Sequence, residues 1–344
     1  MRGWYVTRWT VAIGVDTHKQ GHVAVALDRL GRQIDCVTVE ASTVGYQRLL
    51  VWARGLGEPV FGIEGCGSYG AGLARFLADH GVAVYECERP RRGERRGGKN
   101  DLVDAALAAR RVVIGEGLSL PRGDGRREQL RVLLLERRGA TRARTAALNQ
   151  LDAVIVTAPD ALRRRLAGLP KKRLVVATAR LRSRPDGVTD VLRRIARRIE
   201  TLSLEIGEID RTLCRLVSDM APQLLDECGV GAVCAAQLLV SSGDPERMAS
   251  EASFAALAGT NPIDASSGKQ HRHRLNRGGD RQLNWALHVI ALQRVHHHAE
   301  TARYYRNLLD TGKSSKEAKR CVKRALARHF YRQLKETRLP TLTT

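Results

Sequence analysis

Residues 11–39 read VAIGVDTHKQGHVAVALDRLGRQIDCVTV, and this stretch decides the fold. Val11 to Val15 is an apolar run of strand length that ends on a carboxylate, Asp16. His22 to Leu27 and Gln33 to Val39 follow as two more strand-length runs, joined by the turn Asp28-Arg29-Leu30-Gly31-Arg32. Further on, Thr43 to Arg54 carries Tyr46, Leu49, Leu50 and Ala53 at helical spacing, with Ser42 or Thr43 as the cap. Val60 to Ile63 is a second short apolar run that ends on a carboxylate, Glu64. Ser68 to His80 reads as a helix with Leu73, Phe76 and Leu77 on its inner side, stopped by Gly81. Val82 to Glu86 is a further strand. Three strands, a helix, a strand, a helix and a strand predict a mixed sheet flanked by helices.

The chain changes character after this sheet. Residues 89–99 hold six basic residues, one acid and three glycines, which predicts a mobile loop. Asn100 or Asp101 starts a helix through Leu107 to Val112, and Gly115 to Gly125 reads as a linker. Arg126 to Thr157 and Val188 to Asp219 then carry apolar stripes long enough for an antiparallel arm or a dimerising coil. Between them, residues 163–184 hold nine basic residues and no acid, a candidate backbone-binding surface. Beyond Pro222, helices are predicted at Gly231 to Val240, Ser250 to Leu257, Arg281 to His298, Ala299 to Leu309 and Ser314 to Leu334. A loop from Gly259 to Gly279 interrupts them. The expected units are therefore 10–118, 119–222 and 223–335.

Composition narrows the partner. Of 344 residues, 58 are basic and 36 acidic, a formal net charge of +22 that attracts phosphate backbones and makes binding salt-sensitive. The seven cysteines form no C-x-x-C pair, which argues against a zinc site and fits thiols in a reducing cytosol. No apolar run approaches the roughly 18 residues of a membrane span. Met1 to Thr10 lacks the apolar segment of a signal peptide. A soluble cytoplasmic protein with no membrane partner is expected.

Four carboxylates stand out on this basic background. Asp16 and Glu64 end neighbouring strands, and Asp101 and Asp104 share one helix face at i and i+3. A carboxylate after a buried strand that leads into a hairpin is the geometry of a ribonuclease-H-type sheet. Each residue alone also suits a structural role, as a strand end, a cap or a first-turn acid. The four in this order point to divalent metal, since hard cations such as Mg2+ take oxygen ligands and metal pairs clamp the oxygens of an in-line displacement. Gly14-Val15-Asp16-Thr17 also suits actin-like ATPases and sugar kinases, but no second Gly-rich phosphate hairpin is evident.

A second constellation lies near the C-terminus. Cys228-Gly229-Val230-Gly231, between two helical runs, resembles a helix-hairpin-helix whose amides can hold a DNA phosphate, although such a sequence is as often a tight turn. Ser266-Ser267-Gly268-Lys269 then precedes His271-Arg272-His273-Arg274-Leu275-Asn276-Arg277-Gly278-Gly279. A serine beside glycine is sterically open, and Lys269, Arg272, Arg274 and Arg277 can neutralise a phosphate under attack. Alone, such a loop is more often a plain flexible one. His296-His297-His298 point about 100° apart on a helix and cannot chelate together.

Taken together, Val11 to Lys19, Gly62 to Gly70, Lys99 to Ala105, Gly229 to Leu239 and Ser266 to Gly279 resemble the DEDD-type transposases of bacterial insertion sequences. That family is now described as bridge-RNA-guided recombinases. The resemblance implies an α/β, Holliday-junction-resolvase-like N-terminal domain of ribonuclease H fold, a helical coiled-coil arm and a mostly α C-terminal domain. It implies a metal-binding tetrad of Asp16, Glu64, Asp101 and Asp104 taking Mg2+ or Mn2+, and a loop serine as nucleophile, Ser267 with Ser266 as the alternative. It implies donor and target double-stranded DNA, a structured guide RNA and a homodimer that assembles into a tetramer. Backbone contact is expected from Arg91, Arg92, Arg95, Arg96, Lys99, Arg163, Arg164, Lys171, Lys172, Arg173, Gly229, Gly231, Lys269, Arg272, Arg274 and Arg277. The rival expectation is a hydrolytic, metal-dependent nuclease or junction resolvase that uses the tetrad alone; a non-catalytic nucleic-acid scaffold is a third.

Overall fold

The computed structural model describes residues 9–87, 100–121, 125–182, 187–243, 250–264 and 273–336. The chain divides into two compact units, Met1–Asp124 and Gly125–Thr344. Among the described residues no helix is long and apolar enough to cross a membrane.

The first unit is built on β1 (Val11–Thr17), β2 (Gly21–Leu27), β3 (Gln33–Glu40), α1 (Thr43–Leu56), β4 (Pro59–Glu64), α2 (Ala71–Asp79), β5 (Ala83–Cys87), α3 (Asp101–Ile114) and β6 (Leu118–Ser119). The strands form one sheet in the order β3-β2-β1-β4-β5-β6. β1, β2 and β3 pair antiparallel, whereas β1, β4 and β5 run parallel. This mixed α/β sheet is consistent with the ribonuclease-H-like expectation. The helix predicted from Ser68 starts later, at Ala71, because Ser68 and Gly70 first donate their amides to the Gly65 carbonyl in a turn. The predicted linker holds β6, which pairs antiparallel with β5.

Strand periodicity separates the two faces of the sheet. Val11, Ile13 and Val15 of β1 join Phe61 and Ile63 of β4 under α1 and α2, where Leu49, Leu50, Ala53, Leu73 and Leu77 close the core. Ala12 and Val60 face the other way, toward Ala108 and Val112 of α3. Val25 and Leu27 of β2 pack there against Ala105 and Ala109. The Asn100 side chain caps α3 by accepting from the Leu102 amide, and Gly115, in the left-handed region, ends it.

The second unit begins with α4 (Arg126–Val156), α5 (Asp160–Leu166), α6 (Lys171–Ala179) and α7 (Val188–Met220). α4 and α7 run antiparallel, as pairing of Arg126 with Asp219, Arg137 with Asp210 and Arg198 with Gln150 shows. The far end has its own core, with Leu151 and Ile155 of α4, Leu166, Leu174 and Val175, and Ile195 and Ile199 of α7. The near end shares a core with the helices that follow: Leu130, Leu134, Leu213 and Val217 pack with Leu238, Phe254, Leu287, Ile290 and Phe330.

Those helices are α8 (Ala232–Ser242), α9 (Glu251–Leu257), α10 (Arg281–His297), α11 (Ala299–Asp310) and α12 (Ser315–Glu336). The helical run expected ahead of Cys228 is only a 3-10 turn, Pro222–Leu224. The loop predicted from Gly259 to Gly279 contains a hairpin, β7 (Pro262–Asp264) with β8 (His273–Leu275). His298 ends α10 and caps α11 by accepting from the Thr301 amide, a structural role for one residue of the histidine triplet.

Candidate metal centre and nucleic-acid interface

The geometry of the carboxylates begins with two glycines. Gly14 of β1 and Gly62 of β4 are paired across the parallel ladder. A Cβ on Gly14 would lie 2.0 Å from the Ala105 carbonyl oxygen and 2.2 Å from the Ala109 nitrogen. A Cβ on Gly62 would lie 2.5 Å from a Val112 methyl and 3.0 Å from the Ala108 carbonyl oxygen. The glycines therefore let the backbone of α3 rest on the strands themselves. The alternation that turns Gly14 and Gly62 toward α3 turns Asp16 and Glu64 to that same face, two residues further along each strand. Thr17 ties the strand ends together by donating to the Glu64 carbonyl at 2.8 Å.

Helix α3 brings its first turn to this edge. Asp104 is buried, Asp101 is partly exposed, and Asp16 is 8% exposed. Single ligand atoms of Asp16, His18 and Asp101 all lie within 4.8 Å of one another. His18 bridges the two acids, with Nδ1 3.9 Å from Asp16 and Nε2 3.9 Å from Asp101. Burial first, then the charges of Asp101 and Asp104, hold the Asp16 pKa above its ordinary value, against the opposing pull of His18 and the Thr17 amide. Negative charges crowded at a buried position are what a divalent cation relieves. Carboxylate oxygens suit Mg2+, and an imidazole beside them is also compatible with Mn2+. The donor set therefore fits a divalent cation. Asp104 acts on Asp16 through charge, and Glu64 follows Ile63, the strand partner of Val15; neither belongs to the three-residue cluster.

His18 has no place in the four-carboxylate expectation. Its signal was available: in Asp16-Thr17-His18, residues i and i+2 of an extended segment share a face.

The basic residues divide into three groups. Arg91, Arg92, Arg95, Arg96 and Lys99 lie outside the described residues, as do Ser266, Ser267, Lys269 and Arg272. In α5 and α6, Arg163 and Arg164 pair with Asp160, and Lys171 pairs with Asp152, whereas Lys172 and Arg173 are exposed. Exposed pairs of this kind are weak and exchange readily for phosphate. Arg274 and Arg277 are exposed on and after β8.

The base of the β7–β8 hairpin is firmly built. Gly259 and Gly279 have φ of +61° and +92°, and a Cβ on Gly279 would lie 2.4 Å from the Leu257 carbonyl oxygen. Asn276 donates to Asn261 at 2.7 Å, and Asp280 caps α10 while accepting from Ser241 at 2.6 Å. Gly229 has φ of +80°, and its turn packs on α10, where Arg294 donates to the Cys228 carbonyl at 2.8 Å. Gly231 is exposed at the start of α8, where the first amides have no side-chain cap.

Comparison with known families agrees with both halves of this description. Residues 13–158 match the model of the DEDD transposases of the IS110 type, described as transposase. Residues 222–306 match the model described as transposase, IS116/IS110/IS902 family. No curated protein matches the chain. Together the two models span more than half of the chain, one over the carboxylate sheet and the other over the hairpin and its helices. The chain therefore carries two domains of the IS110 transposase kind, which supports an insertion-sequence transposase, an enzyme class that cuts DNA and transfers its strands.

Proposed function

We propose that the protein is a recombinase that exchanges DNA strands through a phosphoserine intermediate, guided by a structured RNA. The observation that carries this reading is the meeting of Asp16, His18 and Asp101 at the end of the sheet, in a chain that also has the C-terminal transposase domain. Asp16, Glu64, Asp101 and Asp104 are the proposed ligands of Mg2+ or Mn2+. The cation would neutralise charge on the reacting phosphate. Ser267, or Ser266 in its place, is the proposed nucleophile.

The step balances without an external energy source. The serine Oγ attacks phosphorus, the Oγ–P bond forms, the P–O3′ bond breaks, and the leaving 3′-oxygen takes the serine proton. The 3′-hydroxyl of the exchanged strand then attacks a second phosphoserine, reseals the DNA and returns the proton to serine. Bond energy is conserved in the covalent link, so ATP has no role. Arg274 and Arg277, with Lys269 and Arg272, are proposed to hold the backbone of donor and target DNA near the serine. The amides at Gly229 and Gly231 are proposed to take a further phosphate. Residues 89–99 and the bases of α5 and α6 are proposed contacts for RNA or DNA backbone. A dimer that pairs into a tetramer would supply serine and carboxylates from different protomers.

The test is strand exchange on joined element ends, with flanking RNA and Mg2+. Exchange lost in Asp16→Asn and in Ser267→Ala supports the reading. Cleavage that persists in Ser267→Ala and Ser266→Ala together reassigns the protein to the hydrolytic nucleases.

A further inference from the structure

The second unit contains a half-open cavity of about 680 Å3 between the β7–β8 hairpin, α11 and α12. Among the described residues its lining includes Arg274, Lys313, Arg320, Lys323, Arg324 and Arg328 against a single acid, Glu317. Helix α12 supplies most of these bases, and it lies beyond the residues that match either family model.

Lys323 is the unusual member. It is 8% exposed, on the face of α12 that also buries Val322, Leu326 and Ala327. Its Nζ donates to the Asn284 side-chain oxygen at 2.7 Å, its one hydrogen bond among the described residues. Asn284 is fixed in turn, because its amide donates to the Ala258 carbonyl at 2.7 Å. An ammonium carries three protons, so two remain for another acceptor. Burial, and then the nearby Arg320 charge, lower the Lys323 pKa. A buried ammonium facing a like charge is costly, and an anion in the cavity removes that cost.

The remaining lining restricts which anion fits. The volume falls in the usual range for sites that enclose an organic ligand, roughly 300–1,000 Å3. A lone inorganic phosphate would leave most of it empty. Tyr304 is 43% exposed, and its ring, with Leu275 and Pro262, adds apolar surface to the basic lining. Phosphate-binding bases beside an aromatic face are how single strands are held, one base stacking on the ring. A base inside a duplex is stacked away from such a pocket.

We infer that this cavity takes one unpaired nucleotide of a DNA strand, its phosphate against Lys323, Arg320 and Arg324 and its base against Tyr304. The choice of DNA rests on the transposase reading. The cavity would then hold a strand displaced from its partner during exchange.

The test uses the full-length chain and a labelled oligothymidine strand. Tyr304→Ala is expected to weaken binding about tenfold, and Arg320→Gln to lower the salt slope by about one phosphate contact; neither residue belongs to the buried core. Cys321 also lines the cavity, so the strand should slow its alkylation while exposed Cys36 reacts as before. Wild-type affinity in both variants, or unprotected Cys321, overturns the inference. Protection by an RNA strand and not by DNA overturns the choice of DNA. Asp16→Asn should bind the strand normally. If Asp16→Asn also exchanges DNA normally, the assignment of the carboxylate site fails while the cavity result stands.

Discussion

Adding one methyl group at Gly14 should dismantle the carboxylate site while leaving the sheet in place. The new Cβ would sit 2.0 Å from the Ala105 carbonyl oxygen and 2.2 Å from the Ala109 nitrogen. An ordinary contact requires about 3.4 Å, so helix α3 must retreat by ~1.4 Å. The obstacle is backbone, which cannot rotate away as a side-chain tip can. Overpacking of this kind costs about 1–3 kcal/mol, and backbone contact places Gly14→Ala at or above the upper end. The retreat also carries Asp101 and Asp104 away from Asp16. A displacement of ~1 Å at reacting groups lowers rates about a hundredfold. Thermal melting and strand exchange should be measured beside Gly55→Ala, whose Cβ meets nothing within 4 Å. Gly55 lies inside α1, so that substitution should stabilise by about 0.5–1 kcal/mol and leave exchange intact. Gly14→Ala with wild-type melting and wild-type exchange would refute the reasoning.

Three further outcomes are expected. Asp16→Asn should raise the melting temperature of the metal-free protein and abolish the rise that Mg2+ or Mn2+ gives the wild type. The Asp16 and Asp101 ligand atoms lie within 4.8 Å, and their repulsion is worth about 1 kcal/mol at the water-like dielectric of the half-exposed Asp101. Calorimetry with and without chelator checks this, and a variant that melts below the wild type contradicts it. His18→Ala should weaken Mn2+ binding about tenfold and Mg2+ binding less, because magnesium gains little from imidazole; titration calorimetry with each ion decides. Burial alone would raise the Glu227 pKa, but the His329 hydrogen bond and charge, the Arg294 charge and the Gln333 hydrogen bond together bring it below the ordinary glutamate value of 4.5. A lowered carboxylate contributes stability above its unfolded pKa that is lost as pH falls through the folded value. Glu227→Gln leaves the buried Arg294 without its carboxylate and should cost about 3 kcal/mol at pH 7. Melting across pH should show that deficit shrinking below pH 4.5; a deficit independent of pH contradicts the assignment.

The sheet was legible because each strand is a run with a clear boundary. Val11 to Val15 and Val60 to Ile63 each end on a carboxylate, and the alternation along them fixes which face that carboxylate shares. The two-residue β6 left no trace, since Leu118 and Ser119 are too short to show a period. Charge masked helices α5 and α6: their basic residues outnumber the few apolar positions, Leu166, Leu174 and Val175, that turn inward. His18 was missed for another reason. The carboxylate pattern points to acids alone, whereas the i, i+2 geometry brings an imidazole to the same edge. Lys323 is one of many bases on the last helix and does not stand out among them in the sequence. Its place on the apolar face follows from Leu326 and Ala327, three and four residues on.

The most direct test is to trap the covalent intermediate. Full-length protein, flanking RNA and DNA carrying the joined element ends are incubated with Mg2+, denatured and digested, and the DNA-linked peptide is sequenced by mass spectrometry. The account predicts a phosphonucleotide on Ser267, present in Ser266→Ala and absent from Ser267→Ala and Asp16→Asn. Efficient cleavage with no protein–DNA adduct in the wild type would contradict it and leave the carboxylate site as a hydrolytic centre.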